Sequence, residues 1–135
     1  MSDRLKELNH IGIAVTDLGE AVKLYRDILG FELTEEKELP DRGLKVAFLS
    51  TGNTTIELLQ GVREDSAISR FIEKKGPGIH HLCFSVGDIG RTLEEVSVDG
   101  LDLIDKTARP GAEGHPVAFL HPRSTGKVLI ELEES

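Results

Sequence analysis

The strongest constraint on this chain is that its second half repeats its first, because a duplicated unit must fold twice in the same way. Asn9-His10-Ile11-Gly12-Ile13-Ala14-Val15 resembles His80-His81-Leu82-Cys83-Phe84-Ser85-Val86, an offset of 71 residues counted from His10 to His81. Asp17-Leu18-Gly19 answers to Asp88-Ile89-Gly90, and Val46-Ala47-Phe48-Leu49 to Val117-Ala118-Phe119-Leu120. From there the offset grows: Ser50-Thr51-Gly52 matches Ser124-Thr125-Gly126, and Ile56-Glu57-Leu58 matches Ile130-Glu131-Leu132. His121-Pro122-Arg123 is therefore an insertion in the second half.

Each half opens with alternating β-type residues, over about 8–15 and 79–86. Asp17 and Asp88 are placed to cap helices over about 18–29 and 89–99, with Leu18, Val22, Tyr25, Ile28 and Leu29 at helical spacing and with Gly30 and Gly100 as stops. Three strands follow in each half, near 31–37, 44–50 and 54–60, then near 101–107, 116–121 and 127–133. The expected fold class is α+β, with two tandem βαβββ modules at about 8–60 and 79–133. Residues 61–78 form the connector, where Ile68, Phe71 and Ile72 suit a short amphipathic helix. A half of this size is marginal alone, so residues 1–135 are expected to form one domain whose two sheets pair around a shared concave centre.

Composition narrows the function classes. A formal net charge of −8 and few aromatic residues argue against nucleic acid as a partner. No apolar run approaches the roughly 20 residues that cross a bilayer, and the opening Met1 to Glu7 lacks the pattern of a secretory signal. The single cysteine, Cys83, fits a reducing, cytoplasmic setting. An anionic small molecule would need a local basic patch. Lys106, Arg109, Arg123 and Lys127 offer one, although solvated loop charge is the more ordinary reading of such residues.

Alternate side chains of a strand share a face. His10 therefore shares a face with Gly12 and Ala14, and His81 with Cys83 and Ser85, while the apolar neighbours point toward the helices. Glu57 and Glu131 each sit between two aliphatic residues and take the opposite side from them. If both pairs enter one cavity, His10, Glu57, His81 and Glu131 form two imidazoles and two carboxylates, a set suited to one divalent first-row metal with coordination positions left for water or substrate. His80 falls on the other parity and reads as structural or supporting. His115 and His121 lie late in the chain, where a surface role is at least as ordinary, and Cys83 reads as a small lining residue.

Paired βαβββ modules carrying His-Glu-His-Glu resemble the vicinal-oxygen-chelate superfamily. Asp65-Ser66-Ala67-Ile68, Phe71-Ile72, Gly78-Ile79-His80-His81-Leu82 and the run from His121 to Leu132 are similar to its methylmalonyl-coenzyme A epimerase family. The resemblance implies a glyoxalase-like open barrel of mixed sheets around a metal-binding cavity. It also implies an isomerase that interconverts (R)- and (S)-methylmalonyl-CoA by 1,1-proton transfer through a metal-stabilised enolate. One divalent ion is implied, Co(II) or Mn(II) ahead of Ni(II), Zn(II) or Mg(II), with an acyl-CoA substrate and a homodimer. By the same resemblance Glu131 is both ligand and base. Some family members carry a glutamate where this chain has Val46, so Glu57 or a metal-held water is the candidate for the opposite-face proton carrier. The alternatives are a glyoxalase I-type lactoylglutathione lyase and a metal-free small-molecule-binding protein of the same fold.

Overall fold

In the computed structural model, which describes residues 4–135, the duplicated sequence takes the same path twice. Met1 to Asp3, part of the stretch read for a leader, lie outside the described residues. The chain divides into two compact units: His10–His80, and His81–Ser135 together with the N-terminal residues through Asn9.

The first unit contains β1 (Leu8–Ala14), α1 (Leu18–Val22), β2 (Glu32–Leu39), β3 (Leu44–Ser50), β4 (Thr55–Gly61) and the connector helix α2 (Ala67–Lys75). Its strands run in the order β2-β3-β4-β1, with β1 parallel to β4 and the other neighbours antiparallel. The second contains β5 (Gly78–Val86), α3 (Ile89–Val98), β6 (Arg109–Pro110), β7 (Pro116–Leu120) and β8 (Ile130–Glu134). Its order is β6-β7-β8-β5, again with one parallel pair, β5 with β8. Both halves are βαβββ, as the repeat requires.

Apolar alternation decides which side of each sheet the helix covers. In the first unit Ile13, Val15, Ala47, Leu49, Ile56 and Leu58 pack against Leu18 and Val22 of α1. In the second, Phe84, Val86, Ala118, Leu120, Ile130 and Leu132 pack against Ile89, Leu93 and Val96 of α3. Burying each aliphatic side chain contributes roughly 1.5–3 kcal/mol, which fixes the register, because a slip by one residue would turn the whole set outward. Asp17 and Asp88 accept hydrogen bonds from the Glu20 and Arg91 amides at 3.0 and 3.1 Å, so both expected caps form. Gly30 and Gly100 follow their helices with φ of 87° and 103°, in the left-handed region where a Cβ is penalised.

Two expected elements differ. The helix read over 18–29 is α-helical only through Val22 and continues as a π-helix, Lys23–Ile28, with the Leu29 amide donating to the Leu24 carbonyl at 2.9 Å. The wider turn adds a residue to the helix and still lets the Phe31 amide reach the Tyr25 carbonyl at 3.0 Å. The strand read over 101–107 shrinks to a single bridge between Leu103 and Leu120, and the edge strand is the two-residue β6. Backbone bonds persist here, from the Ile104 amide to the Phe119 carbonyl at 3.0 Å and from the His121 amide to the Asp102 carbonyl at 2.8 Å, and side chains add to them. The Phe119 amide donates to Asp105 Oδ2 at 2.8 Å, and the Asp102 amide donates to Ser124 Oγ at 2.9 Å.

The connector docks through a close approach at Gly61. A Cβ there would stand 2.6 Å from Ser66 Oγ and 2.9 Å from the Ser69 backbone nitrogen, at the hydroxyl and amide that start α2. Gly61→Ala is therefore expected to lower stability by about 1–3 kcal/mol through overpacking, measured as the shift of the urea midpoint at unchanged slope. An unshifted midpoint would mean that α2 can move away at no cost.

Candidate metal and proton-transfer site

In each unit the strand that carries the histidine has small residues on its helix-free face, and a glutamate stands on the strand paired parallel to it. On β1, His10, Gly12 and Ala14 are buried and alternate with the helix-facing aliphatics. Parallel pairing sets Gly12 beside Glu57 of β4, and antiparallel pairing sets Phe48 of β3 on the other side of Glu57. The outcome is a contact of 3.0 Å between His10 Nδ1 and Glu57 Oε2, with His10 at 3% and Glu57 at 9% exposure.

The second unit reproduces this arrangement with its own residues. Cys83 of β5 stands beside Glu131 of β8, and Phe119 of β7 flanks Glu131 on the far side. His81 Nε2 lies 3.1 Å from Glu131 Oε1, at exposures of 6% and 8%. The His81 imidazole also meets the Phe119 ring edge-on, with centroids 5.8 Å apart, which limits its rotation. The two imidazoles differ in which nitrogen faces the carboxylate, Nδ1 for His10 and Nε2 for His81.

These pairs fit a divalent ion on chemical grounds. Imidazole nitrogen and carboxylate oxygen are the donors such ions take, and each pair already holds its nitrogen and oxygen about as far apart as neighbouring ligands on one ion. Both pairs are withdrawn from water, so an ion between nitrogen and oxygen would meet little competition from solvent.

The other sequence candidates separate clearly. His80 is partly buried and packs edge-on to Phe71 of the connector helix at 5.0 Å, a structural contact. His115 is exposed. His121 caps the short turn Pro122–Ser124, its Nδ1 accepting from the Arg123 amide at 3.1 Å, which is how the three-residue insertion is absorbed. Cys83 is buried, as a lining residue would be. Val46 is fully buried on the Glu57 side of β3, opposite Leu59 and Lys37, and has no group that can carry a proton. Lys106 and Arg123 line a groove of ≈ 800 Å³ beside α3, on the helix side of the sheet. Arg123 Nε donates to Asp102 Oδ2 at 2.7 Å, and this bond holds the Asp102 carboxyl below the usual carboxylate range.

A ring-and-cation motif lay in the repeat without being read from it. Phe48 and Phe119 occupy equivalent positions beside the two glutamates, and each carries a cation over its ring: Lys37 at 6.0 Å and Arg109 at 5.6 Å. The duplicated Val-Ala-Phe-Leu segment was the available signal.

Sequence and structure comparisons agree with this geometry. The pattern of the glyoxalase/bleomycin resistance protein/dioxygenase superfamily matches residues 9–119. The mitochondrial methylmalonyl-CoA epimerase of Mus musculus is 41% identical over 133 residues, spanning 98% of this chain and 75% of that protein. The chain belongs to the methylmalonyl-CoA epimerase family of that superfamily.

Solved epimerase structures share the fold. The epimerase of Mycobacterium tuberculosis superposes with a TM-score of 0.92 at 36% identity, covering 99% of this chain and 91% of that one. A Streptomyces coelicolor methylmalonyl-CoA epimerase variant in complex with 2-nitronate-propionyl-CoA superposes at 0.89, with 33% identity and coverages of 97% and 95%. The α+β expectation and the glyoxalase-like fold both hold for this epimerase-family chain.

Proposed function

We infer that this chain interconverts (R)- and (S)-methylmalonyl-CoA, with His10, Glu57, His81 and Glu131 as the ligands of one divalent ion. The observation that carries the reading is the buried imidazole–carboxylate pair found at the same place in both halves, in a chain similar to known epimerases over nearly its whole length. We take residues 1–135 as a single domain in which module 1 (about 8–60) and module 2 (about 79–133) face a common cavity across the connector 61–78. We take the assembly to be a homodimer and the preferred ion to be Co(II) or Mn(II). No helix among the described residues is long and apolar enough to cross a membrane, and a single, buried cysteine suits the reducing cytoplasm in which we place the protein.

The substrate's reactive carbon lies between a thioester carbonyl and a carboxylate, so losing its proton spreads charge onto oxygen. A divalent ion bound by the four ligands supplies Lewis-acid stabilisation of that charge. The residues do the rest. Glu131 takes the α-proton on a carboxylate oxygen, and Phe119, which flanks Glu131 on β7 and meets the His81 ring edge-on, limits the movement of both side chains. Inversion needs a second carrier on the opposite face of the planar intermediate, and Glu57, buried beside His10, is the group for it. Burial of both carboxylates limits protonation of the intermediate from bulk water.

The direct test gives purified protein one epimer of methylmalonyl-CoA and, separately, the hemithioacetal of glutathione and methylglyoxal. Racemisation of the first with no turnover of the second is expected. Turnover of the hemithioacetal alone would move the chain to the lyase reading, and binding of acyl-CoA with no conversion would favour a binding protein.

A further inference from the structure

The four basic residues near the C-terminus do not share one environment. Arg123 is tied to Asp102, and it lines the α3 groove together with Lys106. Lys127 is exposed in the loop before β8. Arg109 differs from these. It opens β6 as the partner of Val117, and Val117 alternates with Ala118, which packs on the helix side. Arg109 therefore belongs to the helix-free face that carries Phe119, Glu131 and His81.

Its side chain is set in place from two directions. The guanidinium lies 5.6 Å over the Phe119 ring, whose edge meets His81. Arg109 Nε is 3.4 Å from Asp105 Oδ1, while Asp105 Oδ2 is anchored by the Phe119 amide at 2.8 Å. One carboxylate thus links the Nε edge to the backbone of the residue whose ring the guanidinium lies over. Among the described residues neither terminal Nη nitrogen has a hydrogen-bond partner, and the side chain is 47% exposed. A guanidinium placed over an aromatic ring and paired at its Nε edge, with its two end donors open, is preorganised for bidentate binding of a carboxylate.

Building on the epimerase reading, we propose that Arg109 receives the free carboxylate of the malonyl group and so selects α-carboxyacyl thioesters over simple acyl thioesters. The duplication supports a role tied to the ring beside each glutamate, because Lys37 sits in the same way over Phe48. There, however, the ammonium is drawn 3.6 Å from Glu35 Oε2 and presents no planar fork.

Malonyl-CoA and propionyl-CoA separate the carboxylate from the phosphates, since both carry the same coenzyme A. Calorimetric dissociation constants for the two are measured on the metal-loaded and the chelator-treated wild type, Arg109→Gln, Arg109→Lys and Arg123→Gln. The wild type is expected to prefer malonyl-CoA in both forms. Arg109→Gln should cut that preference by roughly tenfold to a hundredfold by weakening malonyl-CoA alone. Arg109→Lys should restore part of the preference, and Arg123→Gln should leave the ratio unchanged. On methylmalonyl-CoA, Arg109→Gln should raise KM more than it lowers kcat. Equal weakening of both ligands would assign Arg109 to the coenzyme phosphates and overturn the proposal, as would an unchanged ratio. A wild type that neither racemises methylmalonyl-CoA nor distinguishes the two thioesters would instead remove the epimerase reading beneath it.

Discussion

Replacing Glu131 with Gln is expected to slow exchange of the substrate α-proton with solvent deuterium by about 10²- to 10⁴-fold, the range a positioned general base contributes. Gln keeps the shape of the side chain and can still hydrogen-bond His81, 3.1 Å from Oε1 in the wild type, so the change removes the base and its charge while leaving the packing of β8 intact. Unfolding midpoints close to wild type would confirm that the loss is chemical. Glu57→Gln should behave differently. If Glu57 is the carrier on the other face, the epimer deprotonated by Glu131 still exchanges its α-proton in this variant but does not invert, because no group delivers a proton from the second side. Proton NMR in heavy water follows exchange, and a coupled mutase assay follows inversion. Wild-type exchange in Glu131→Gln would sink the assignment of the base, and full inversion in Glu57→Gln would hand the second face to another group.

How far the sequence could be read depended on whether a feature was periodic. The repeat, the capping aspartates and the two histidine–glutamate pairs were legible because strand parity puts His10 beside Gly12 and Glu57 between two aliphatics, and the buried aliphatic face enforces that parity. The segment 101–107 misled because Leu101 and Leu103 alternate as a strand would and do pack on the α3 core, but only one bridge forms. Asp102 and Asp105 bond to distant side-chain and backbone groups that no local pattern reveals. The same error hid Arg109. With the strand placed too early, Arg109 read as one more loop charge, and its position over the Phe119 ring emerged only from the pairing of β6 with β7. The π-turn in the first helix was illegible for a related reason. Leu18, Val22, Tyr25, Ile28 and Leu29 fit an ordinary helix equally well, yet Ile28 and Leu29 are exposed once the extra residue rotates them outward.

Removing the divalent ion should abolish both exchange and inversion and should also lower the melting temperature, because a ligand set completed only in the folded chain links metal affinity to stability. At an ion concentration about a thousandfold above its dissociation constant the stabilisation is ~4 kcal/mol, which for a domain of this size is a fall on the order of ten degrees on chelation. The buried pairs give the effect its direction. Each pair sets a carboxylate beside an imidazole in a poorly hydrated setting, where a charge that loses a partner is costly. Co(II) or Mn(II) should restore activity and melting temperature together after chelation. His81→Ala, which deletes one donor, should show a melting temperature nearly indifferent to chelator. Two readouts guard against a misleading result, since a chelator that merely sequesters substrate would slow exchange without moving the melting curve. Exchange that continues at full rate in a chelated protein shown to be metal-free would leave the carboxylates acting alone and would remove the ion from the reaction.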